Sequence, residues 1–375
     1  PPEYAKKIME DSVCGIAVTP ASWRDFFLSN RIGFTIEDLK NGNDVLVCRR
    51  DLRLEQNTFS STKIRLSEVA YIVFTSGSTG VPKPVAISKE SLRIYSGWYN
   101  DAFQVTCSDR IVVACSAGFD MIINALIPPL IEGASIIIPE RSVLLNPSTF
   151  LQFLKDNRIT LINMTPSYSE LLLNSTSSVG TLPDLRVVEF GGEILSTETA
   201  KSWRLLAPNA ELFNCYGVAE ATVTSFWHCI KDADFYTQGH IPIGHPVKYM
   251  EYNIKAENLD DKNASKGILQ LSGPLISLGY LGTVRDNGRF IKDTNGMPIT
   301  YDTGDIVCLC DDGVVEYIGR KDQEVKVAGG YRLNPSEIER TILETDLGIR
   351  EIYVLPDNEN KITPLWAFCV TGNVD

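Results

Sequence analysis

The segment Tyr71-Ile-Val-Phe-Thr75-Ser76-Gly77-Ser78-Thr79-Gly80-Val81-Pro82-Lys83 holds residue types that can grip a polyphosphate. An apolar run passes into glycines and hydroxyl residues, and a lysine closes the segment. Gly77 and Gly80 permit positive φ and a close approach of backbone to ligand. Thr75, Ser76, Ser78 and Thr79 add hydroxyl and amide donors that can cradle anionic oxygens. Lys83 brings a compact positive charge. This is not the GxxxxGK[ST] phosphate loop, because Pro82 and not glycine precedes Lys83 and Pro84 follows it. The plain alternative is a Ser/Gly-rich surface turn. Its place directly after an apolar strand, and its Pro-Lys ending, favour the phosphate role.

Such a loop needs a rigid scaffold, and the chain has the pattern of one. Strand-like runs occur at Gly15 to Thr19, Tyr71 to Phe74, Ile111 to Cys115, Ala134 to Ile138, Leu161 to Met164 and Val187 to Phe190. Helical spacing occupies Tyr4 to Ser12, Pro147 to Asn157 and Ser167 to Leu173. Apolar strands alternating with amphipathic helices predict an α/β body of buried sheets flanked by helices. Past about Met250 short strands and Gly, Asp and Asn turns predict a β-rich subdomain. Asn41 to Asp44 and Asp260 to Lys266 read as exposed turns.

Composition narrows the function classes. The 375 residues are 44% hydrophobic, ample for a large core, with a net charge of −12. That balance argues against a broad nucleic-acid surface and leaves room for a local basic phosphate site. No run reaches the roughly 18 apolar residues that span a bilayer. Ile122 to Ile131 is short and carries Pro128 and Pro129. The charged first residues are not signal-like, so the expectation is a soluble, cytoplasmic protein. Nine cysteines without a CxxC pair, and three histidines without ligand spacing, predict reduced thiols and no His/Cys metal centre.

Further motifs follow in order: Gly191-Gly192-Glu193; Asn214-Cys215-Tyr216-Gly217-Val218-Ala219-Glu220; Gly267 to Gly273 with Gly279-Tyr280; Tyr301-Asp302-Thr303-Gly304-Asp305; and Gly319-Arg320-Lys321-Asp322 through Glu337-Ile338-Glu339. Together with the loop ending at Lys83, they resemble the ANL adenylating enzymes: acyl-CoA synthetases, nonribosomal peptide synthetase adenylation domains and luciferases. The resemblance covers essentially the whole chain. It implies a reaction in which a carboxylate attacks the α-phosphate of ATP and pyrophosphate leaves, with ATP and Mg²⁺ as cofactors. Catalysis of that step is positioning plus electrostatic stabilisation.

By this resemblance Thr75, Ser76 and Lys83 hold the β- and γ-phosphates, within the loop of Gly77, Ser78, Thr79 and Gly80. Glu220 is the Mg²⁺ ligand. Gly192 flanks the adenine, Tyr216 offers it an aromatic face and Asn214 an amide. Thr222 lies near the α-phosphate, and Asp305, helped by Arg320, accepts from the ribose hydroxyls. Taken singly, Tyr216 also reads as a core aromatic, Asp305 as a turn residue and Glu220 as a helix-start acid. Asp322 is the implied hinge, dividing a large subdomain at 1–321 from a small α+β C-terminal lobe at 322–375. The resemblance also implies that the chain starts inside the large subdomain and stops before the family's last, lysine-bearing motif. Lys326 is then the best remaining basic residue near the hinge motif, more suited to the second, thioester-forming conformation, and weak adenylation is expected.

Asp120, in Gly118-Phe119-Asp120-Met121, separates amino-acid from acyl substrates within the family. A buried carboxylate needs a partner, which a substrate α-ammonium supplies. Matching onward, the side-chain pocket comprises Met121, Asn124, Asn163, Glu189, Gly191, Cys215, Val223 and Thr224. A large aliphatic or aromatic side chain would strand its amides and carboxylate. The expected side chain is therefore polar, long or basic. The combination of Asp120, Met121, Asn163 and Gly191 is similar to pockets for hydroxyornithine derivatives, and that resemblance implies an ornithine-derived amino acid, as in siderophore peptides. The expected partners are a phosphopantetheinylated carrier domain and neighbouring synthetase domains. Departures from the family pattern are Pro84, Lys89, Ile268, Asp302, Glu324 and Ala328. Two rivals share the motifs: an acyl- or aryl-CoA ligase, and a non-catalytic docking module in a megasynthase.

Overall fold

The computed structural model describes residues 16–20, 34–38, 45–50, 66–75, 83–176, 180–236, 240–256, 265–281, 288–321, 325–327, 331–333, 335, 338–339, 342, 349–356 and 365–371. Tyr4 to Ser12, Asn41 to Asp44, Ser76 to Gly80 and Asp322 lie outside the described residues. The first strands, β1 (Ile16–Pro20), β2 (Phe34–Asp38) and β3 (Val45–Arg50), form one antiparallel sheet in the order β1-β3-β2. Next come β4 (Val69–Thr75) and β5 (Lys83–Ser88), antiparallel, with Thr75 opposite Lys83. The long helix α1 (Lys89–Phe103) starts at once, capped by Ser88, whose hydroxyl accepts from the Ser91 amide.

A seven-stranded sheet forms the centre. Its parallel strands are β6 (Arg110–Val112), β7 (Ser135–Ile137), β8 (Leu161–Met164), β9 (Val187–Gly191) and β10 (Glu211–Tyr216). The antiparallel β11 (Phe226–Cys229) and β12 (His245–Pro246) complete the order β12-β11-β10-β9-β8-β6-β7. Alternation along the strands sorts two cores. Ile111, Leu161, Val187 and Phe213 pack with α1, whereas Val112, Ile162, Val188 and Leu212 pack on the opposite face. That second face is covered by α3 (Pro147–Asp156), α4 (Pro166–Leu173) and α5 (Thr197–Leu206). Each starts at a side-chain cap, from Asn146, Thr165 and Ser196 respectively.

The apolar stretch Ile122–Ile131 is a helix, α2, in spite of its two prolines. Pro128 and Pro129 fall in its last turn, and the Asn100 amide donates to the Pro128 carbonyl at 2.8 Å. Gly133, at φ 74°, then turns the chain into β7.

The β-rich part has five strands: β13 (Glu251–Lys255), β14 (Lys266–Ser272), β16 (Phe290–Lys292), β17 (Pro298–Leu309) and β18 (Val315–Arg320). Between β14 and β16, the short β15 (Gly279–Tyr280) leaves this sheet and adds to β5. Two hairpin pairs follow, β19 (Val325–Val327) with β20 (Tyr331–Leu333) and β21 (Ile349–Pro356) with β22 (Leu365–Thr371). The architecture is the mixed α/β one expected, with open sheets. Among the described residues no helix is long and apolar enough to cross a membrane.

Candidate active site

The sheet β15-β5-β4 places three residues of the phosphate side together. Thr75 ends β4, Lys83 begins β5 opposite it, and Tyr280 lies one strand further. Lys83 is buried, and its ammonium sits 5.4 Å from the centre of the Tyr280 ring. The hydroxyl of Tyr280 donates to Glu220 Oε1 at 2.6 Å. Glu220 belongs to a 3-10 turn, Ala219–Ala221, directly after β10. Its Oε2 is buried and has no hydrogen-bond partner. An orphan carboxylate oxygen in such a place suits Mg²⁺, which takes one or two protein carboxylates and completes its shell with phosphates and water. The described residues contain no cluster of three or more His, Cys, Asp or Glu side chains able to hold a metal by themselves.

The backbone after Glu220 is strained. Thr222 and Val223 both take positive φ, 57° and 65°, which is costly for a β-branched residue. The Thr222 hydroxyl donates to the Leu275 carbonyl at 2.7 Å, and the Ser225 amide to the Tyr216 carbonyl at 2.8 Å. Gly217 is forced by the resulting crossing: a Cβ there would meet the Val223 carbonyl oxygen at 1.7 Å. The motif glycine is therefore a close-approach residue.

A second group gathers around Asp305, which is fully buried. Tyr216 donates its hydroxyl to Oδ2 in a short hydrogen bond, and Arg320 pairs with Oδ1 at 3.0 Å. Each carboxylate oxygen can accept two donors, so lone pairs remain for ribose hydroxyls. Burial, then the charge of Asp305, hold the Tyr216 phenol well above its usual pKa, so it remains a donor. The Asn214 amide nitrogen donates to the carbonyls of Ile241 and Pro242. Those bonds fix the loop before β12 and leave the amide oxygen for a ligand. Gly192 takes φ 87° just past β9.

The residues matched to a side-chain pocket come together on one face of β8, β9 and β10. Asn163, Glu189 and Gly191 are in register with their neighbours on that face, with Cys215 beside Gly191. Asn124 and Asn163 are fully buried and Glu189 is nearly so. Sequence reasoning leaves these groups waiting for a substrate, but the structure partners them. Asn124 donates to Glu189 Oε1 at 2.8 Å, and Tyr99 donates to Oε2 at 3.1 Å. Tyr95 reaches both Asn124 Oδ1, at 2.6 Å, and Thr224, at 3.0 Å. Asn163 donates to the Met121 carbonyl at 2.9 Å and accepts from the Cys115 thiol. Tyr95, Tyr99 and Cys115 were not among the expected site residues. The two tyrosines stand four apart on α1, so they share a face, and that spacing was the available signal.

What the network lacks is charge compensation. Burial pushes Glu189 up to about 7, the hydrogen bonds from Tyr99, Asn124 and Cys215 pulling only partly back. Burial and the Glu189 charge in turn push the Cys115 thiol to about 12. At the other end of the pocket Asp120 lies at the entry to α2, its carbonyl accepting the Ile123 amide. Burial, then the charge of Asp120, raise the Tyr71 hydroxyl well above its usual value. Tyr71 is on β4, four residues before Thr75 and on the same face.

This α/β fold, with its open seven-stranded sheet and edge-paired phosphate strands, defines a class, and comparison with known proteins gives the family. Residues 6–281 match the AMP-binding enzymes, and the chain belongs to that family. Surfactin synthase subunit 2 of Bacillus subtilis is 29% identical over 307 residues, 80% of this chain and 8% of the synthase. D-alanine–D-alanyl carrier protein ligase of Streptococcus agalactiae is 29% identical over 306 residues, 80% of this chain and 59% of the ligase. The chain thus spans less than two thirds of either relative. The crystal structure of the Vibrio cholerae adenylation domain AlmE in complex with glycyl-adenosine-5'-phosphate is similar at TM-score 0.70 and 25% identity. That likeness covers 86% of this chain and 60% of the other.

Proposed function

We propose that this chain activates an amino acid with ATP, giving aminoacyl-AMP and pyrophosphate, for transfer as a thioester to the phosphopantetheine of a carrier domain in nonribosomal peptide synthesis. One observation carries the reading. β4 bears the phosphate side at Thr75, opposite Lys83, and the amino-acid side at Tyr71, where the charge of Asp120 is felt. Four strand residues separate them, about 13 Å, a span that fits an aminoacyl group joined to a nucleotide phosphate. In this reading Asp120 binds the α-ammonium, Thr75 and Lys83 the phosphates, and Glu220 the Mg²⁺. Tyr216, Asp305 and Arg320 seat the nucleoside. The metal supplies charge neutralisation at the phosphates, and the chain's residues supply alignment.

The side chain accepted is a polar, ornithine-derived one, as siderophore peptides contain. Glu189 supports this: it is buried among neutral donors, with no cation among its described partners, and a basic substrate group supplies the missing charge. Residues 1–321 then belong to the large adenylation subdomain, and Asp322 is the pivot of the lobe that follows. ATP–pyrophosphate exchange over a panel of proteinogenic and ornithine-derived acids tests the proposal. Exchange is expected to be greatest with ornithine-type acids. Preference for Phe or Leu refutes the side-chain assignment. Asp120→Ala is expected to abolish exchange with any amino acid; a variant that still activates one defeats the amino-acid reading. ATP binding without exchange across the panel favours a non-catalytic module.

A further inference from the structure

The segment 274–281 braces two parts of the phosphate side at once. Ser277 donates its amide to the Glu220 carbonyl at 2.8 Å, and Leu275 accepts from Thr222. Leu278 and Leu281 donate their amides to Ala86 and Pro84 of β5, 2.9 Å each. Pro274 accepts from Ser91 at the start of α1. Tyr280 is the one side chain of this brace that touches both charged groups: its ring lies against the Lys83 ammonium and its hydroxyl holds Glu220 Oε1. The ring is packed edge-on against Phe290, at 5.3 Å, which fixes the direction of the hydroxyl.

We propose that Tyr280 is the positioning residue of the metal–nucleotide site. Its hydroxyl occupies one oxygen of Glu220, so that the other, the unpartnered Oε2, is the single atom offered to the cation, and its ring sets the height of Lys83 beside it. The inference rests on the functional reading above. A phenylalanine keeps the ring and removes the hydroxyl, so the two contributions separate. The metal contact weakens while the lysine keeps its seat.

The test uses Mn²⁺ in place of Mg²⁺, titrated into the full chain with ATP and followed by electron paramagnetic resonance. Tyr280→Phe is expected to weaken Mn²⁺ binding by about tenfold or more, the loss typical of a removed outer partner. At saturating metal the ATP concentration for half-maximal exchange is expected to change little. In a Glu220→Gln chain the same substitution is expected to add nothing. Should Tyr280→Phe not fold, Glu220→Asp, which draws the carboxylate back from the tyrosine, is expected to show the same loss. Unchanged Mn²⁺ affinity in the folded variant overturns the inference, as does a loss that persists undiminished with Gln at 220. A native chain that binds ATP with no dependence on Mn²⁺ overturns the functional reading and the inference together.

Discussion

Glu189 and Glu220 are both buried glutamates, and both accept a hydrogen bond from a tyrosine hydroxyl. They differ in what happens to the second oxygen. In Glu189 it is taken by Asn124, so the carboxylate is closed within the fold and only its charge is unanswered. In Glu220 it has no hydrogen-bond partner. The comparison teaches how one residue type serves two purposes in one molecule. A carboxylate with both oxygens partnered shapes a wall, and a carboxylate with one oxygen withheld is prepared for a ligand from outside.

The sharpest way to break this contrast is at Glu220. Glu220→Gln keeps a group that can accept from Tyr280 and removes the charge. Pyrophosphate exchange is expected to fall on the order of 10²–10³, while the thermal midpoint stays near that of the native chain. A normal exchange rate would show that the orphan oxygen has no ligand to meet.

At Glu189 the expected effect lies in pH dependence. Its pKa is raised from 4.5 to about 7, so between those values the folded chain holds more protons than the unfolded one. Stability from this group is therefore present at the acid end and declines as pH rises through the window, by roughly 3 kcal/mol in all. In Glu189→Gln that decline is expected to vanish, read as the difference between two denaturant titration series. Equal slopes in both chains would show that the carboxylate is already neutralised by something in the fold.

The smallest effect belongs to Tyr99→Phe, which strips one donor from Glu189 Oε2. It is expected to cost about 1–3 kcal/mol, the penalty of an unsatisfied buried acceptor. Combining it with Glu189→Gln is expected to recover part of that loss. Strictly additive effects would separate Tyr99 from the carboxylate's environment.

Much of the scaffold was legible in the sequence because the strands are uniform apolar runs. Leu161–Met164 is found at the expected limits, and Val187–Gly191 differs from the expected run by one residue. The helix at Ile122–Ile131 was harder to read, because its prolines mask the period and its Asn100 brace comes from another helix. In the site, residues that follow one another in a motif could be placed by spacing alone. The tyrosines could not. Tyr95 and Tyr99 reach the pocket from α1, and Tyr280 reaches Glu220 across 60 positions of sequence. No local pattern tells an aromatic that fills a core from one that points its hydroxyl at a carboxylate. The partnered state of the pocket amides was hidden for the same reason, since their donors lie far along the chain.

The crossing at Gly217 links matters that look separate. Tyr216 on one side of it holds Asp305, in the group proposed to seat the nucleoside, and Thr224 on the other joins the Tyr95 network of the proposed side-chain pocket, with no room for even a methyl between the two stretches of chain. On the proposed function, evolution toward a new amino acid is thus steered away from 222–224, where any backbone shift would disturb the proposed nucleotide seat. It is free to work through α2 and β9, where side chains can change over a backbone that stays put.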